Sequence, residues 1–244
     1  MPPRLRKLLV KWLLPARDRA SRQLGIALPI IGRRFCQLTL CTAGMFFLSF
    51  SLALDSARLL EAAAKFGPRT VTEAQQLLQT IERAAGLDEE RRLSLLNGFF
   101  NQRIEFRSDQ EVWGQIDYWA SPLESLDKGR GDCEDYAIAK YFSLLSAGVP
   151  VAKLRLVYVR ALLGGRSIAH MVLAYYAQPG AEPLILDNLV SDVRPASQRP
   201  DLQPVFSFNS EGLWQGVGSV SAGDPLARLS QWRELLTKVQ AEGF

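Results

Sequence analysis

The sequence predicts an α+β fold, in which a group of helices comes first and an antiparallel sheet follows. Apolar residues at helical spacing dominate the chain before Pro150, whereas short β-rich segments separated by turn residues follow it. Because the two kinds of element are segregated along the chain, we expect N-terminal helices packed on an antiparallel sheet. Hydrophobic residues make up 48% of the chain, which is enough for a core of ordinary size.

Capping and stop signals define the helices, and turn residues separate the strands. The predicted helices are Ala57–Phe66, Thr72–Ala85, Asp88 as N-cap to about Phe100, Asp132 to about Gly148, and Pro225–Gln240. The predicted strands are Leu154–Val159, Ile168–Ala177 and Leu184–Asp187. The stretch Ile104–Tyr118 is expected to be loop with some short structure. Residues 191–224, which contain several prolines, are expected to be irregular.

Residues 1–53 are predicted to be an export segment, and residues 54–244 a single folded domain. A basic flank precedes Phe35–Leu54, which contains no charged residue. Together with the small-residue site Ser51-Leu52-Ala53, this pattern is typical of a cleaved signal peptide, with the mature chain beginning near Leu54. The uncharged stretch is also long enough for an uncleaved anchor in the inner membrane. Both alternatives export the domain to the periplasm, because the positive flank stays inside.

The formal net charge of +4 arises in the leader. Residues 1–34 hold nine Lys or Arg and one acidic residue, so the rest of the chain, with 20 basic and 24 acidic residues, carries −4. A nucleic-acid-binding domain needs a basic surface, and the predicted domain has no basic stripe. Nucleic acid is therefore excluded as a partner.

Cys133 is the only cysteine outside the leader, since Cys36 and Cys41 lie within it. The predicted domain therefore has no internal disulfide and no cysteine zinc cluster. Gly129 and Gly131 permit a tight turn into a helix whose first turn contains Cys133. The helix dipole and free N–H groups favour a thiolate there, which makes Cys133 a candidate nucleophile. The alternative is an ordinary buried cysteine.

His170 is the only histidine of the chain, so a histidine base can only be this residue. It lies in an apolar strand, where a hydrogen-bonded core histidine is the alternative. Asp187 lies on the next predicted strand, and any even-length loop puts both side chains on one face. A four-residue loop, Ala177–Gly180, would place them directly opposite each other, ~5 Å apart at Cβ. The carboxylate would then orient the imidazole, and we predict a triad of Cys133, His170 and Asp187.

Three carboxylates, Asp132, Glu134 and Asp135, lie next to the candidate nucleophile in the sequence. Their negative charge should raise the pKa of the thiol and oppose its ionisation. A bound hard cation such as Ca²⁺ or Mg²⁺ would remove this conflict, because both select carboxylate oxygens. The alternative is a solvated helix cap, with Asp132 as N-cap and Asp135 completing the capping pattern.

Three motifs together resemble the bacterial transglutaminase-like cysteine proteases, and within them the LapG-type periplasmic proteases. They are Gly131-Asp132-Cys133-Glu134-Asp135-Tyr136-Ala137, Ala169-His170-Met171-Val172-Leu173 and Leu186-Asp187-Asn188. The resemblance extends over roughly Leu93–Leu236. It implies a papain-like, transglutaminase-like fold and a calcium ion at Asp132, Glu134 and Asp135. It also implies a tryptophan near the oxyanion site, for which Trp119 is the candidate; a core aromatic residue is the alternative.

The resemblance further implies partners and a cellular role. LapG-type proteases cut a large surface adhesin near its N-terminus, beside a pair of alanines, and so control biofilm attachment. An inner-membrane cyclic di-GMP receptor of the LapD type holds them back. Two other functions would use the same residues: amide hydrolysis or acyl transfer on another periplasmic substrate, such as a cell-wall peptide, and a non-catalytic binding module that keeps the fold.

Overall fold

The computed structural model describes residues 54–244, so the predicted leader lies outside the described residues. The helices are α1 (Ser56–Phe66), α2 (Pro68–Ala85), α3 (Glu89–Arg103), α4 (Asp109–Val112), α5 (Pro122–Lys128), α6 (Cys133–Ser146), α7 (Pro225–Arg228) and α8 (Ser230–Glu242). The strands are β1 (Glu105–Phe106), β2 (Arg130–Gly131), β3 (Leu154–Leu163), β4 (Arg166–Tyr175), β5 (Leu184–Leu186), β6 (Arg194–Pro195), β7 (Leu202–Phe208), β8 (Leu213–Gln215) and β9 (Ser221–Gly223).

The main sheet has seven antiparallel strands in the order β6-β5-β4-β3-β7-β8-β9. Its centre is the long hairpin β3–β4, closed by Gly164 and Gly165 with φ angles of 57° and 75°. Positive φ at both turn positions is what a two-residue hairpin of this twist requires, and only glycine adopts it without strain. Helices first and an antiparallel sheet second confirm the predicted α+β class.

Helix α6 joins the helical part to the sheet. It packs against β3 and β4 on one side and against α3 on another, and its residues from Asp135 to Leu144 are all buried. Trp232 of α8 stacks on Phe142 of α6 at 5.8 Å and meets Phe208 of β7 edge-on at 5.2 Å. These aromatic contacts fix the C-terminal half of α6 relative to the sheet.

The prediction that residues 191–224 are irregular was wrong, because β6, β7, β8 and β9 all lie there. The prolines that suggested loop occupy tolerant positions. Pro195 is on the edge strand β6, and Pro204 of β7 sits where the pairing with β3 shifts register. A proline is accepted at an edge or a bulge because its missing N–H leaves no ladder bond unmade.

The predicted C-terminal helix is interrupted. Leu229, with φ −115° and ψ 93°, separates α7 from α8 and buries its side chain. Helix α8 then continues to Glu242, two residues beyond the predicted end. Within residues 54–244, no helix combines the length and the apolar character needed to cross a bilayer.

Candidate active site

The chain reaches Cys133 through a tight path between α5 and α6. Gly129 ends α5 in the left-handed conformation, with φ 58°. At Gly131, a Cβ atom would lie 2.9 Å from the Cβ of Asp135. A side chain at this position would therefore push the first turn of α6 away, which is why the sequence needs glycine immediately before Asp132.

Cys133 is the first residue of α6 and is half-buried. The main-chain N–H of Met171 in β4 is directed at its sulfur. Its Sγ also lies 3.0 Å from Oε2 of Glu134. Burial, followed by the charges of Glu134 and Asp132, raises the pKa of the Cys133 thiol well above its ordinary value. Without a compensating cation, the site therefore disfavours the thiolate.

His170, the residue before Met171, pairs with Asp187. Its Nε2 lies 2.8 Å from Oδ1 of Asp187, and both residues are buried. Because Nε2 is engaged by the carboxylate, Nδ1 is the imidazole nitrogen left to exchange a proton with the Cys133 sulfur. The structure thus brings together His170, in the middle of β4, and Asp187, at the end of β5, while Cys133 begins the helix that packs on β4.

His170 and Asp187 do not lie directly opposite each other, as a four-residue loop would have placed them. Leu173 pairs with Leu186 and Tyr175 with Leu184, so residues 176–183 form an eight-residue connection rather than a four-residue loop. Continuing this register places Asp187 across from the residue two positions after His170. The connection is still even in length, so both side chains share a face, and Asp187 reaches the imidazole diagonally.

Asp187 is held by more groups than the sequence indicated. Its Oδ1 also accepts the main-chain N–H groups of Asn188 at 2.7 Å and Leu189 at 3.1 Å. Its Oδ2 accepts Nη2 of Arg199 at 2.7 Å, and Arg199 is itself only 4% exposed. Burial opposes ionisation, but the bonds and charges of His170 and Arg199 outweigh it and lower the pKa of Asp187 to about 2. Asp187 is therefore a carboxylate at every working pH.

The main-chain carbonyl of Asp187 is fixed as well. Asn101 of α3 donates to it through Nδ2 at 2.8 Å, and Lys140 of α6 through Nζ at 3.1 Å. Lys140 has no exposed surface, and burial lowers its pKa to about 7, although the charge of Asp187 opposes that change. Neither residue, nor Arg199, belongs to a recognisable sequence motif, and sequence reasoning missed all three.

The carboxylates beside Cys133 form a larger cluster than predicted. Asp109 of α4 and Asp117 of the following loop join Asp132, Glu134 and Asp135, in overlapping groups whose ligand atoms lie within 4.8 Å of one another. Asp109 is 2% exposed, and its Oδ1 has no hydrogen-bond partner among the described residues; the same holds for Oδ1 of Asp132. We name these five residues the carboxylate cluster. No feature of the stretch Ile104–Tyr118 marked Asp109 or Asp117 for this role.

Burial and mutual repulsion make the carboxylate cluster difficult to ionise. Burial, with the charge of Asp132, raises the pKa of Asp109 to about 7. Burial, with the charge of Glu134, raises that of Asp132 to about 9. Burial, with the charge of Asp135, raises that of Glu134 to about 7. The capping alternative is correct in one respect, because Asp135 accepts the Asp132 N–H at 3.3 Å. A solvated cap does not describe Asp135, which is fully buried and also accepts the Ala120 N–H at 2.9 Å.

Trp119 stacks on Phe208 with ring centroids 5.7 Å apart. This contact fits the alternative of a core aromatic residue, and a role near the oxyanion stays a prediction.

Comparison with known proteins identifies relatives over most of the chain. Residues 64–203 match the family described as bacterial transglutaminase-like cysteine proteinase. Three solved structures of Legionella pneumophila LapG are each 38% identical to the chain and covered over 98% of their length. The EGTA-treated form covers 76% of the chain with a TM-score of 0.68, a further structure 76% with 0.66, and the calcium-bound form 75% with 0.65. A comparison with curated protein sequences finds no match.

These similarities extend through α6, β4 and β5, the elements that carry Cys133, His170 and Asp187. The solved relatives include both a calcium-bound and an EGTA-treated form, which matches the hard oxygen ligands gathered beside Cys133. The chain belongs to the bacterial transglutaminase-like cysteine proteinases, has the α+β papain-like fold of that family, and is a cysteine protease.

Proposed function

We propose that this chain is a calcium-dependent periplasmic endopeptidase that cuts the N-terminal region of a large surface adhesin beside an alanine pair. The observation that carries the chemistry is the buried pair of His170 and Asp187. Met171, the residue after His170 on β4, directs its main-chain N–H at the Cys133 sulfur. The observation that supports a bound metal ion is the carboxylate cluster around that sulfur.

In the proposed reaction, the Cys133 sulfur attacks the scissile carbonyl while Nδ1 of His170 takes the thiol proton. His170 then gives this proton to the leaving amine, and a thioester to Cys133 remains. Water, deprotonated by His170, releases the acyl group and restores the thiol. Asp187 holds the imidazole in one tautomer and stabilises its charged form. The main-chain N–H groups of the first turn of α6 have no acceptor within the helix and are the proposed oxyanion donors.

The carboxylate cluster suits a calcium ion in its chemistry. Calcium takes six to eight oxygen ligands, and the unpartnered, buried Oδ1 atoms of Asp109 and Asp132 are oxygens of this kind. We propose Asp109, Asp117, Asp132 and Glu134 as carboxylate ligands. Asp135 was predicted as a ligand; with one main-chain N–H already bound to each oxygen, it also supports the loop around the ion. When bound, calcium supplies positive charge that offsets the carboxylates and so favours the Cys133 thiolate.

Location and partners remain proposals that rest on the leader sequence and on the family. Export through residues 1–53, either as a cleaved signal peptide or as an anchor, would place the protease in the periplasm. There it would meet a surface adhesin as substrate and an inner-membrane cyclic di-GMP receptor of the LapD type as the regulator that sequesters it.

The test is incubation of the purified chain with an N-terminal fragment of a large adhesin from the same organism. We expect one cut beside an alanine pair in the presence of calcium and none with EGTA. A cell-wall peptide and an added amine acceptor test the alternative of amidase or acyltransferase activity. Cleavage of the cell-wall peptide alone, or amine incorporation in place of hydrolysis, would favour that alternative.

Replacing Asp187 by asparagine is expected to reduce turnover severely, by as much as ~10⁴-fold, because the amide cannot stabilise a charged imidazole. Asp192→Asn is the matched control, since Asp192 lies in the same loop, has a side chain that is 72% exposed and pairs with Arg194 at the surface. Turnover rates of the two variants on the adhesin fragment make the comparison. Near-normal activity of the Asp187 variant would remove this residue from the mechanism.

A further inference from the structure

The outer edge of β4 has no neighbouring strand along most of its length. Strand β4 runs from Arg166 to Tyr175 and pairs with β3 throughout, but β5 pairs only with its last three residues, Leu173 to Tyr175. Among residues 54–244, no strand pairs with the outer side of β4 before Leu173. On the other side of the hairpin, β7 covers β3 as far as Ala161.

The register shows which main-chain groups this edge presents. Tyr176 donates its N–H to the carbonyl of Lys153 at 2.8 Å, which fixes one hydrogen-bonded pair of the β3–β4 ladder. Such pairs recur at every second residue of an antiparallel ladder. Ile168 and His170 therefore bond to β3, whereas Ser167, Ala169 and Met171 direct their N–H and C=O groups outward.

The outward edge leads directly to the nucleophile. Of its three outward-facing residues, Met171 directs its N–H at the Cys133 sulfur. Ser167 and Ile168 are exposed and Ala169 is half-buried, so the edge is open to solvent before it reaches the catalytic residues. Leu162, Leu163 and Ile168 expose 58%, 52% and 37% of their surface at the same hairpin end, which provides apolar contact area.

Folded proteins normally cover or charge an exposed strand edge, because its free N–H and C=O groups pair with any extended chain. An edge left open beside a protease's nucleophile is suited to its substrate. We propose that the open edge of β4 at Ser167 and Ala169 binds the substrate polypeptide as an added β-strand, which carries the scissile carbonyl to Cys133. The substrate class is thus an unfolded or locally extended segment with small side chains near the cut, rather than a folded surface.

This inference rests on the proposed proteolysis of an adhesin segment. Its test uses a twelve-residue peptide centred on the alanine pair of the adhesin fragment, and copies in which one main-chain N–H at a time is N-methylated. Only alternate residues of an added strand face the edge. We therefore expect losses of up to about tenfold in kcat/KM at every second position on one side of the cut, since each methylation removes one hydrogen bond. If the losses in kcat/KM do not recur at every second residue of the peptide, the substrate does not bind as an added strand.

A pair of variants tests the same edge from the enzyme side. Ser167→Pro removes an outward N–H and leaves the ladder to β3 intact, whereas Ser167→Ala keeps the N–H and removes only the hydroxyl. We expect the proline variant to lose about tenfold in kcat/KM and the alanine variant to match the parent. Alkylation of Cys133 by iodoacetamide should be equal in both, since it needs no substrate strand.

The outcomes separate the two proposals. Equal cleavage by both Ser167 variants, together with a flat methylation scan, would overturn strand addition and leave the protease assignment in place. Suppose that the enzyme cuts neither the peptide nor the adhesin fragment although its Cys133 is alkylated at the normal rate. In that case the proposed substrate is wrong, and the proposal that it binds as an added strand fails as well.

Discussion

Cys133→Ala is expected to abolish proteolysis, with a loss of at least about 10⁴-fold in turnover, because no other thiol is present in residues 54–244. The change removes one half-buried sulfur at a helix start, so we expect the melting temperature to stay close to that of the parent. The rate of cleavage of the adhesin fragment is the measurement.

His170→Ala should fall to the same level, since nucleophile and base act as a unit and their losses are not additive. The double variant should therefore be no worse than either single variant. Residual turnover above a few per cent in either single variant, with the fold intact, would mean that the nucleophile or the base lies elsewhere.

Removal of calcium is expected to have the second largest effect, and it should depend on pH. In the metal-free protein, the pKa values of Asp109, Asp132 and Glu134 are raised to about 7, 9 and 7. In the unfolded chain these carboxyl groups lose their protons near pH 4, so above that pH the folded chain holds more protons than the unfolded chain. The free energy of unfolding must then fall as pH rises from about 4 toward 9. The proposed calcium ion would bind the ionised cluster, so its stabilising effect should grow over the same range.

We expect the EGTA-treated protein to melt at least about 5 °C lower at pH 8 than at pH 5, and calcium to remove most of this difference. Magnesium should restore less, because it requires strict octahedral geometry and holds its water molecules. Thermal unfolding at both pH values, with each ion and with EGTA, is the measurement. If the EGTA-treated protein has the same melting temperature at pH 5 and pH 8, the carboxylates of the cluster do not repel one another as proposed.

Glu134→Gln separates metal binding from helix capping, because Glu134 takes no part in the bond between Asp132 and Asp135. We expect calcium affinity to fall at least about tenfold, because even a change in a residue that only supports the metal ligands typically costs that much. Glu90→Gln is the matched control, since Glu90 is an exposed acid in the first turn of another helix, α3. Calorimetry that finds unchanged calcium affinity in the Glu134 variant would place the ion elsewhere.

Two of the three catalytic candidates could be read from the sequence because no second residue of their type competes for the role in residues 54–244. Cys133 stands at a glycine-flanked helix start, and His170 is the only histidine. Asp187 could be paired with it by the period of two in a hairpin, although the exact register depended on a connection whose length the sequence did not reveal. The sequence therefore predicts well those features that depend on local chemistry and on which face of a strand a residue occupies.

The supporting residues could not be found in the same way. Arg199 reaches Asp187 from the segment between β6 and β7, and Asp109 reaches Asp132 from α4, so both contacts depend on tertiary packing. The strands after residue 191 were missed because prolines, read locally as loop, occupy an edge and a register shift. Long-range pairing overrode local propensity at these positions.

We propose that calcium lowers the pKa of the Cys133 thiol, which the carboxylates around it would otherwise raise. The most direct measurement is the rate at which iodoacetamide alkylates Cys133 at pH 7, with calcium and with EGTA. Each unit of change in the thiol pKa changes the thiolate fraction about tenfold. We therefore expect alkylation at least about tenfold faster with calcium than with EGTA, and a much smaller difference between the two rates in Glu134→Gln. Equal alkylation rates of the parent protein with calcium and with EGTA would contradict the proposal.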